Sequence, residues 1–172
     1  MFSFFRNNSN ANYEKLAYDF NFNKINGAKL NLKDFKGKVI VIINVASQCG
    51  FTNQYTDMQK IWEKYQEKNF VIIGIPSNEF GKQEPGSNEQ IKSFCESKFG
   101  ISFPMVEKVS VKGDNAHPFY IWAKEDYGSG AIPKWNFHKI IVSKKGKIID
   151  TFSSITKPTS KRFIKTIEEN LN

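Results

Sequence analysis

Apolar and polar positions along the chain fall into a few distinct patterns. Around Asn26-Gly27, the segments Tyr18-Asp-Phe-Asn-Phe22 and Ala28-Lys-Leu-Asn-Leu32 alternate apolar with polar, as expected for a β-hairpin closed by an Asn-Gly turn. Val39-Ile-Val-Ile-Ile-Asn44 and Phe70-Val-Ile-Ile-Gly-Ile75 are instead continuous, mostly β-branched runs, the pattern of strands covered on both faces. Between them, Tyr55, Met58, Ile61, Trp62 and Tyr65 recur at helical spacing within residues 55–68, so 39–75 reads as a strand–helix–strand unit with a right-handed parallel crossover.

Residues 76–86 are rich in Gly and Pro and read as a loop. Ser87 and Gln90 form a capping-box pair that opens a helix through Ile91, Phe94 and Cys95 to about Lys98,. A third helix is predicted over residues 114–125. A second hairpin joins Phe137–Ser143 to Ile148–Phe152 through Lys144-Lys-Gly-Lys147, and Pro158 is expected to open a last helix with Phe163, Ile164, Ile167 and Leu171 on its apolar face,. No internal repeat and no interdomain linker appears. The order predicts an α/β chain of thioredoxin-like type: a central mixed β-sheet flanked by helices, with an N-terminal β-hairpin. Residues 1–14 are expected to be a flexible tail and 15–172 a single domain.

Composition narrows the function. Of 172 residues, 40% are hydrophobic and 15% aromatic, enough apolar mass for a real core. No run approaches the roughly 18 apolar residues of a membrane span. A formal charge of +8 raises anionic partners, but the lysines are scattered, and the densest cluster, Lys144, Lys145 and Lys147, reads as a hairpin turn. A solvated basic surface is favoured over a nucleic-acid stripe. Such a surface can still make transient contact with an anionic membrane surface. Two Cys and two His fit no zinc spacing and no haem context. The first residues have a brief aromatic patch and an Asn-rich stretch and make a poor signal peptide,. A cytoplasmic location with reduced thiols follows, or an organelle if a targeting extension has been removed.

The chemistry centres on Cys49, in Asn44-Val-Ala-Ser-Gln-Cys-Gly-Phe-Thr52, between the end of a buried strand and a helix start. Loops at the carboxyl ends of such strands form functional crevices. A nearby helix N-terminus favours thiolate over thiol. A helix end contributes only about 0.3–1 kcal/mol, so further hydrogen-bond donors are required. Cys49 could instead be a small buried hydrophobe, but Gly50 and the strand-to-helix position favour a reactive thiol. Thr52 stands where a dithiol oxidoreductase would carry its second cysteine, so the Cys-X-X-Cys reading fails,. A peroxiredoxin reading fails as well, because Ala46 holds the position of its threonine.

The Asn44–Thr52 stretch resembles the peroxidatic segment of the glutathione peroxidase family. Ile75-Pro-Ser-Asn-Glu-Phe-Gly-Lys-Gln-Glu-Pro-Gly-Ser87 is similar to the family's Gln-bearing loop, and Lys134-Trp-Asn-Phe-His-Lys139 to its Trp-Asn segment. The likeness spans about residues 17–171. It implies a peroxidase whose nucleophile is Cys49, with Gln83, Trp135 and Asn136 as its partners. Amides and an indole N–H are neutral donors, able to stabilise a thiolate without themselves titrating. Read without the resemblance, Trp135 is a packing aromatic, Asn136 a turn residue and Gln83 a solvated loop residue. The implied reaction is attack on a hydroperoxide, leaving a Cys49 sulfenic acid.

The resemblance further implies that Cys95 is the resolving thiol of the non-selenium, thioredoxin-dependent type, forming a disulfide that thioredoxin reduces. From the residues alone, Cys95 is a buried structural cysteine. Ser77 replaces a cysteine often found in the Gln-bearing loop and cannot resolve. No cofactor or metal is implied; the co-substrate is a thiol, thioredoxin or more weakly glutathione, for which Arg6 and Arg162 are the only arginines. The short connection from Gly113 to Lys134 suggests a monomer with an open site for bulky or lipid hydroperoxides. The competing readings are a protein-disulfide oxidoreductase on the same fold and a basic-surface binding module.

Overall fold

The computed structural model describes residues 14–172. The tail expected over residues 1–14 therefore lies almost wholly outside the described residues. Asn21–Asn23 (β1) and Lys29–Asn31 (β2) form a two-stranded antiparallel hairpin, with Phe22 opposite Leu30. Its strands are shorter than the alternation predicts. Ala17–Asp19 turns into a 3-10 helix instead, closed by Asp19 Oδ2 accepting from Leu16 N–H at 2.8 Å. The turn spans Lys24–Ala28, with Lys24 N–H donating to Ala28 O at 2.6 Å and Gly27 at φ 94°.

The central sheet has the order Phe70–Pro76 (β4), Val39–Val45 (β3), Lys139–Val142 (β5) and Ile148–Phe152 (β6). β3 and β4 are parallel, joined through the helix Gln54–Tyr65 (α1), while β5 runs antiparallel to both β3 and β6. The sheet is mixed, as expected, and every residue of β3 and β4 is buried. Side chains of β3 alternate between two cores. Ile40 and Ile42 join Phe119, Trp122 and Ala123 of the helix Pro118–Tyr127 (α3) and the hairpin residues Phe22 and Leu30. Val41 and Ile43 join Tyr55 and Met58 of α1, Ile91 and Cys95 of Asn88–Phe99 (α2), and Phe163 and Ile167 of Lys161–Leu171 (α4). Helices thus cover both faces, which is why the strands read as uninterrupted apolar runs.

Three predicted boundaries move. α3 starts at Pro118 rather than near residue 114, because His117 Nδ1 caps it by accepting from Phe119 N–H at 3.1 Å and Pro118 needs no N–H partner there,. Pro158 does not open α4; Ser160 does, its hydroxyl accepting from Phe163 N–H at 3.3 Å,. β5 starts at Lys139 rather than Phe137, because Phe137 has φ 62° and cannot continue a strand,. The capping box of α2 forms as read, with Ser87 N–H donating to Gln90 Oε1 at 2.9 Å and Gln90 N–H to Ser87 Oγ at 3.2 Å.

Ile42 is fully buried at the centre of the sheet. Ile42→Ala is expected to cost about 2–5 kcal/mol and Ile42→Val about 0.5–1.5 kcal/mol, read as shifts in the urea midpoint with little change in slope.

Candidate active site

Cys49 lies in the loop that leaves the buried end of β3. That loop is held by Thr52, whose hydroxyl accepts from Cys49 N–H at 2.9 Å and donates to Ala46 O at 2.8 Å. The residue that replaces a second motif cysteine is therefore the brace of the Cys49 loop. α1 begins only at Gln54, and overlapping turns fill the gap, with Thr52 N–H on Cys49 O and Gln54 N–H on Phe51 O. Cys49 thus precedes the helix rather than sitting at its first turn. These turns aim Phe51 N–H at Cys49 Sγ, 3.3 Å away. Cys49 itself is part-exposed.

The other two segments meet this loop through hydrogen bonds. Gln48 N–H donates to Gln83 O at 3.0 Å. Asn136 is fully buried and its Nδ2 donates to Gln83 Oε1 at 2.9 Å. This bond fixes which end of the Gln83 amide is the acceptor and leaves its NH2 end as a donor. Asn44, at the end of β3, places the third segment: its Nδ2 donates to Trp135 O at 3.0 Å and its own carbonyl accepts from Phe137 N–H at 2.6 Å. Trp135 stays 37% exposed and its ring packs 5.9 Å from Phe80. The structure thus brings Gln83, Trp135 and Asn136 around the Cys49 loop.

Backbone strain marks the same places. Lys82, just before Gln83, has φ 53°, and Phe137, just after Asn136, has φ 62°. Non-glycine residues in this region cost on the order of 1 kcal/mol or more and persist where surrounding contacts impose them. Gly81, at φ 68°, has a further reason to be glycine, since a Cβ there would lie 3.1 Å from the Trp135 ring.

Cys95 is not beside Cys49 in a disulfide; both are free thiols. It is 1% exposed on the inner side of α2, next to Tyr55 of α1. Burial pushes its thiol up to about 11, the Tyr55 hydroxyl partly opposing this and Glu84 and Glu96 reinforcing it. α2 is lightly anchored: of its twelve residues only Ile91 and Cys95 are buried, and it ends in a left-handed Gly100. His117 and His138 share no cluster. His117 stacks on Phe22 at 4.0 Å, and burial pulls His138 down to about 4. No group of three metal-ligating side chains occurs among the described residues. Nor is any helix among them long and apolar enough to cross a membrane.

Two buried charges escaped the sequence reading. Lys139 is fully buried, its ammonium donating to Gln54 Oε1 at 2.7 Å, Ser153 O at 3.2 Å and Ser154 O at 3.4 Å. It ties β5 to the start of α1 beneath the Cys49 loop. Glu84, one residue past Gln83, is 1% exposed. A lysine inside the apolar run 137–142 is a visible signal for the first. Glu84 looks like any loop acid in sequence.

A sheet of this order, with a loop cysteine past the end of β3 and the segments of Gln83, Trp135 and Asn136 hydrogen-bonded to that loop and strand, defines a thioredoxin-like fold with a free cysteine in the loop that follows its central strand. Comparison with known proteins agrees. Residues 17–124 match the family model for glutathione peroxidase. The chain is 46% identical over 147 residues to the glutathione peroxidase-like peroxiredoxin 2 of Saccharomyces cerevisiae, covering 83% of this chain and 90% of that one. It is 43% identical over 156 residues to the hydroperoxy fatty acid reductase gpx1 of Synechocystis, covering 86% and 92%. Among solved structures, Trgpx in apo form superposes with a TM-score of 0.73 at 30% identity, covering 92% and 97%. A thioredoxin-family thiol:disulfide interchange protein from Chlorobium tepidum superposes with a TM-score of 0.66 at 19% identity, covering 89% and 93%, a likeness of fold alone. The chain belongs to the glutathione peroxidase family and is a peroxidase of its cysteine, non-selenium type.

Burial lowers the Lys139 ammonium from 10.5 to about 7, with Asp57 partly opposing. Between those values the unfolded chain binds the proton more tightly, so stability rises with pH. Above the ordinary thiol value of 9.0, the raised Cys95 offsets this slope and the curve levels, because the unfolded thiol ionises first,. Stability from urea titrations is expected to climb from about pH 7 to 9, and Lys139→Met is expected to lose most of that climb. An unchanged slope in the variant would contradict the assignment.

Proposed function

We propose that residues 15–172 form a single-domain, monomeric hydroperoxide reductase in which Cys49 is the nucleophile and Gln83, Trp135 and Asn136 are its neutral donors. The observation that carries this reading is the bond from Asn136 to Gln83 Oε1. It turns the donor end of Gln83 away from Asn136 while Gln83's own carbonyl holds the Cys49 loop through Gln48 N–H. With Phe51 N–H on Cys49 Sγ, the sulfur is offered hydrogen bonds that strengthen as negative charge gathers on it.

The Cys49 sulfur attacks the terminal oxygen of a hydroperoxide. The S–O bond forms as the O–O bond breaks, the departing alkoxide takes a proton and leaves as alcohol or water, and Cys49 becomes a sulfenic acid. Cys95 then attacks the sulfenic sulfur, forming a disulfide and water, and thioredoxin reduces the bridge. Glutathione serves as a weaker reductant. The closed, protonated Cys95 cannot do this in place, so α2 opens first; with only Ile91 and Cys95 fully buried and Phe94 and Phe99 partly so, that local opening costs less than opening α1,. The relatives' names, with fatty acid hydroperoxide among them, and the exposed Trp135 support bulky organic and lipid peroxides as substrates, met in the cytoplasm or in transient contact with anionic membranes.

Cys49→Ser is expected to abolish peroxide consumption. Cys95→Ser is expected to lower thioredoxin-coupled turnover at least about tenfold while one equivalent of peroxide is still consumed and a trappable sulfenic acid persists; unchanged turnover rejects the resolving role. Gln83→Leu is expected to slow Cys49 oxidation about 10²-fold in stopped-flow mixing, the typical effect of losing one stabilising donor.

A further inference from the structure

We propose that Glu84 is the proton carrier for closure of the Cys49–Cys95 bridge, receiving the Cys95 proton and returning it to the oxygen that leaves Cys49. This rests on the reading of Cys95 as the resolving thiol.

Glu84 is the one carboxylate buried among the described residues. Its backbone is pinned on both sides: its N–H donates to Asn78 Oδ1 at 2.9 Å, and its carbonyl accepts from Lys108 Nζ at 3.1 Å. Lys108 Nζ spends its shortest bond on Gly86 O at 2.7 Å. The nearby cation is therefore committed to main-chain carbonyls and forms no salt bridge with the carboxylate.

The carboxylate stands between the two reacting segments. On one side Ser47, in the Cys49 loop, turns its hydroxyl and N–H towards it. On the other side is α2, whose Gln90, Ile91 and Phe94 face it across a cavity, and the charge of Glu84 is felt by Cys95 of α2 and by its neighbour Tyr55 of α1. Yet Glu84 Oε2, Tyr55 Oη and Ser47 Oγ make no well-formed hydrogen bond among the described residues. A cavity of about 340 Å³ opens here, with Ser47, Gln48 and Glu84 on one wall and Gln90, Ile91 and Phe94 on the other. Two of these loosely satisfied groups, Glu84 and Ser47, line a cavity between the two thiol-bearing segments, where a carboxylate with an open lone pair can take up and give back a proton.

The chemistry needs such a group. The buried Cys95 thiol holds its proton up to about 11, so no useful fraction is thiolate at neutral pH. Burial also raises Glu84, with Ser47 and Lys108 partly opposing, which narrows the gap between donor and acceptor. The Cys95 proton passes to the Glu84 carboxylate, with the Tyr55 hydroxyl taking one proton and giving one on. Freed of its proton, the Cys95 sulfur leaves with the opening α2 and attacks the Cys49 sulfur; the S–S bond forms as the S–O bond breaks. The departing hydroxide takes the proton from Glu84 and leaves as water. The sum is one thiol and one sulfenic acid giving one disulfide and one water, with Glu84 regenerated. Besides Cys95 and Tyr55, the charged groups facing this cluster are Glu96 on α2 and Lys108.

The test is stopped-flow mixing of reduced full-length protein with one equivalent of hydrogen peroxide, followed by timed trapping of sulfenic acid and disulfide across pH 5–8. Glu84→Gln is expected to slow disulfide closure at least about tenfold more than it slows Cys49 oxidation, so that sulfenic acid accumulates. The wild-type closure rate is expected to fall on the acid side as Glu84 takes up a proton, and Glu84→Gln to lose that limb. Tyr55→Phe, which removes a hydroxyl with no well-formed bond, is expected to slow closure selectively as well. Equal slowing of both steps, unchanged closure, or an acid limb retained in Glu84→Gln overturns the proposal. If Glu84→Gln does not fold, a wild-type closure rate that is flat across the range overturns it. A wild type that forms sulfenic acid and never a disulfide instead refutes the resolving role of Cys95, and this inference with it.

Discussion

Asn44 is the residue on which the site's geometry depends. It ends a strand of otherwise apolar residues and is completely buried. A buried amide is tolerated when it is hydrogen-bonded. Here the amide donates to Trp135 O, and the residue's carbonyl accepts from Phe137 N–H. The two bonds bracket Asn136 and force Phe137 into a left-handed conformation. Asn136 then sets the orientation of the Gln83 amide, and Gln83's carbonyl holds Gln48 beside Cys49. Three segments distant in sequence are thereby locked by a short chain of main-chain and amide hydrogen bonds. None of its links carries a charge, so the arrangement does not change as pH varies.

The ionisable groups lie one layer further out and on different elements. Lys139 sits on β5 below the start of α1, held by three oxygen acceptors. Glu84 sits on the opposite loop, facing α2. A buried charge that is fully hydrogen-bonded acts as a fastener, because removing it strands its partners. A buried charge left with an open lone pair is free to exchange a proton. Lys139 fits the first description and Glu84 the second.

The two helices nearest the cysteines differ in anchorage. α1 carries the Cys49 loop and buries Tyr55, Met58, Ile61 and Tyr65 against the sheet. α2 carries the second thiol and buries only Ile91 and Cys95. Local opening is governed by the apolar contacts that must be broken, so α2 opens at lower cost than α1.

The sequence by itself determined the sheet, the helices and the position of Cys49 in the loop after a buried strand. Strand and helix periods are local properties of burial, and the apolar runs of β3 and β4, the helical spacing of α1 and the capping box of α2 all appear where the pattern puts them. Gln83, Trp135 and Asn136 were legible only through three motifs read together. Taken singly, an amide in a loop carries no sign of what it faces. Boundaries shifted where one capping or left-handed residue decided the outcome, at His117, Ser160 and Phe137. Only the tertiary structure decided that Thr52 braces the Cys49 loop, that Lys139 is buried and that Glu84 is buried on a cavity it shares with the Cys49 loop and α2. Those facts depend on which distant segments meet around a side chain and exclude water from it, and periodicity along a single chain does not encode that.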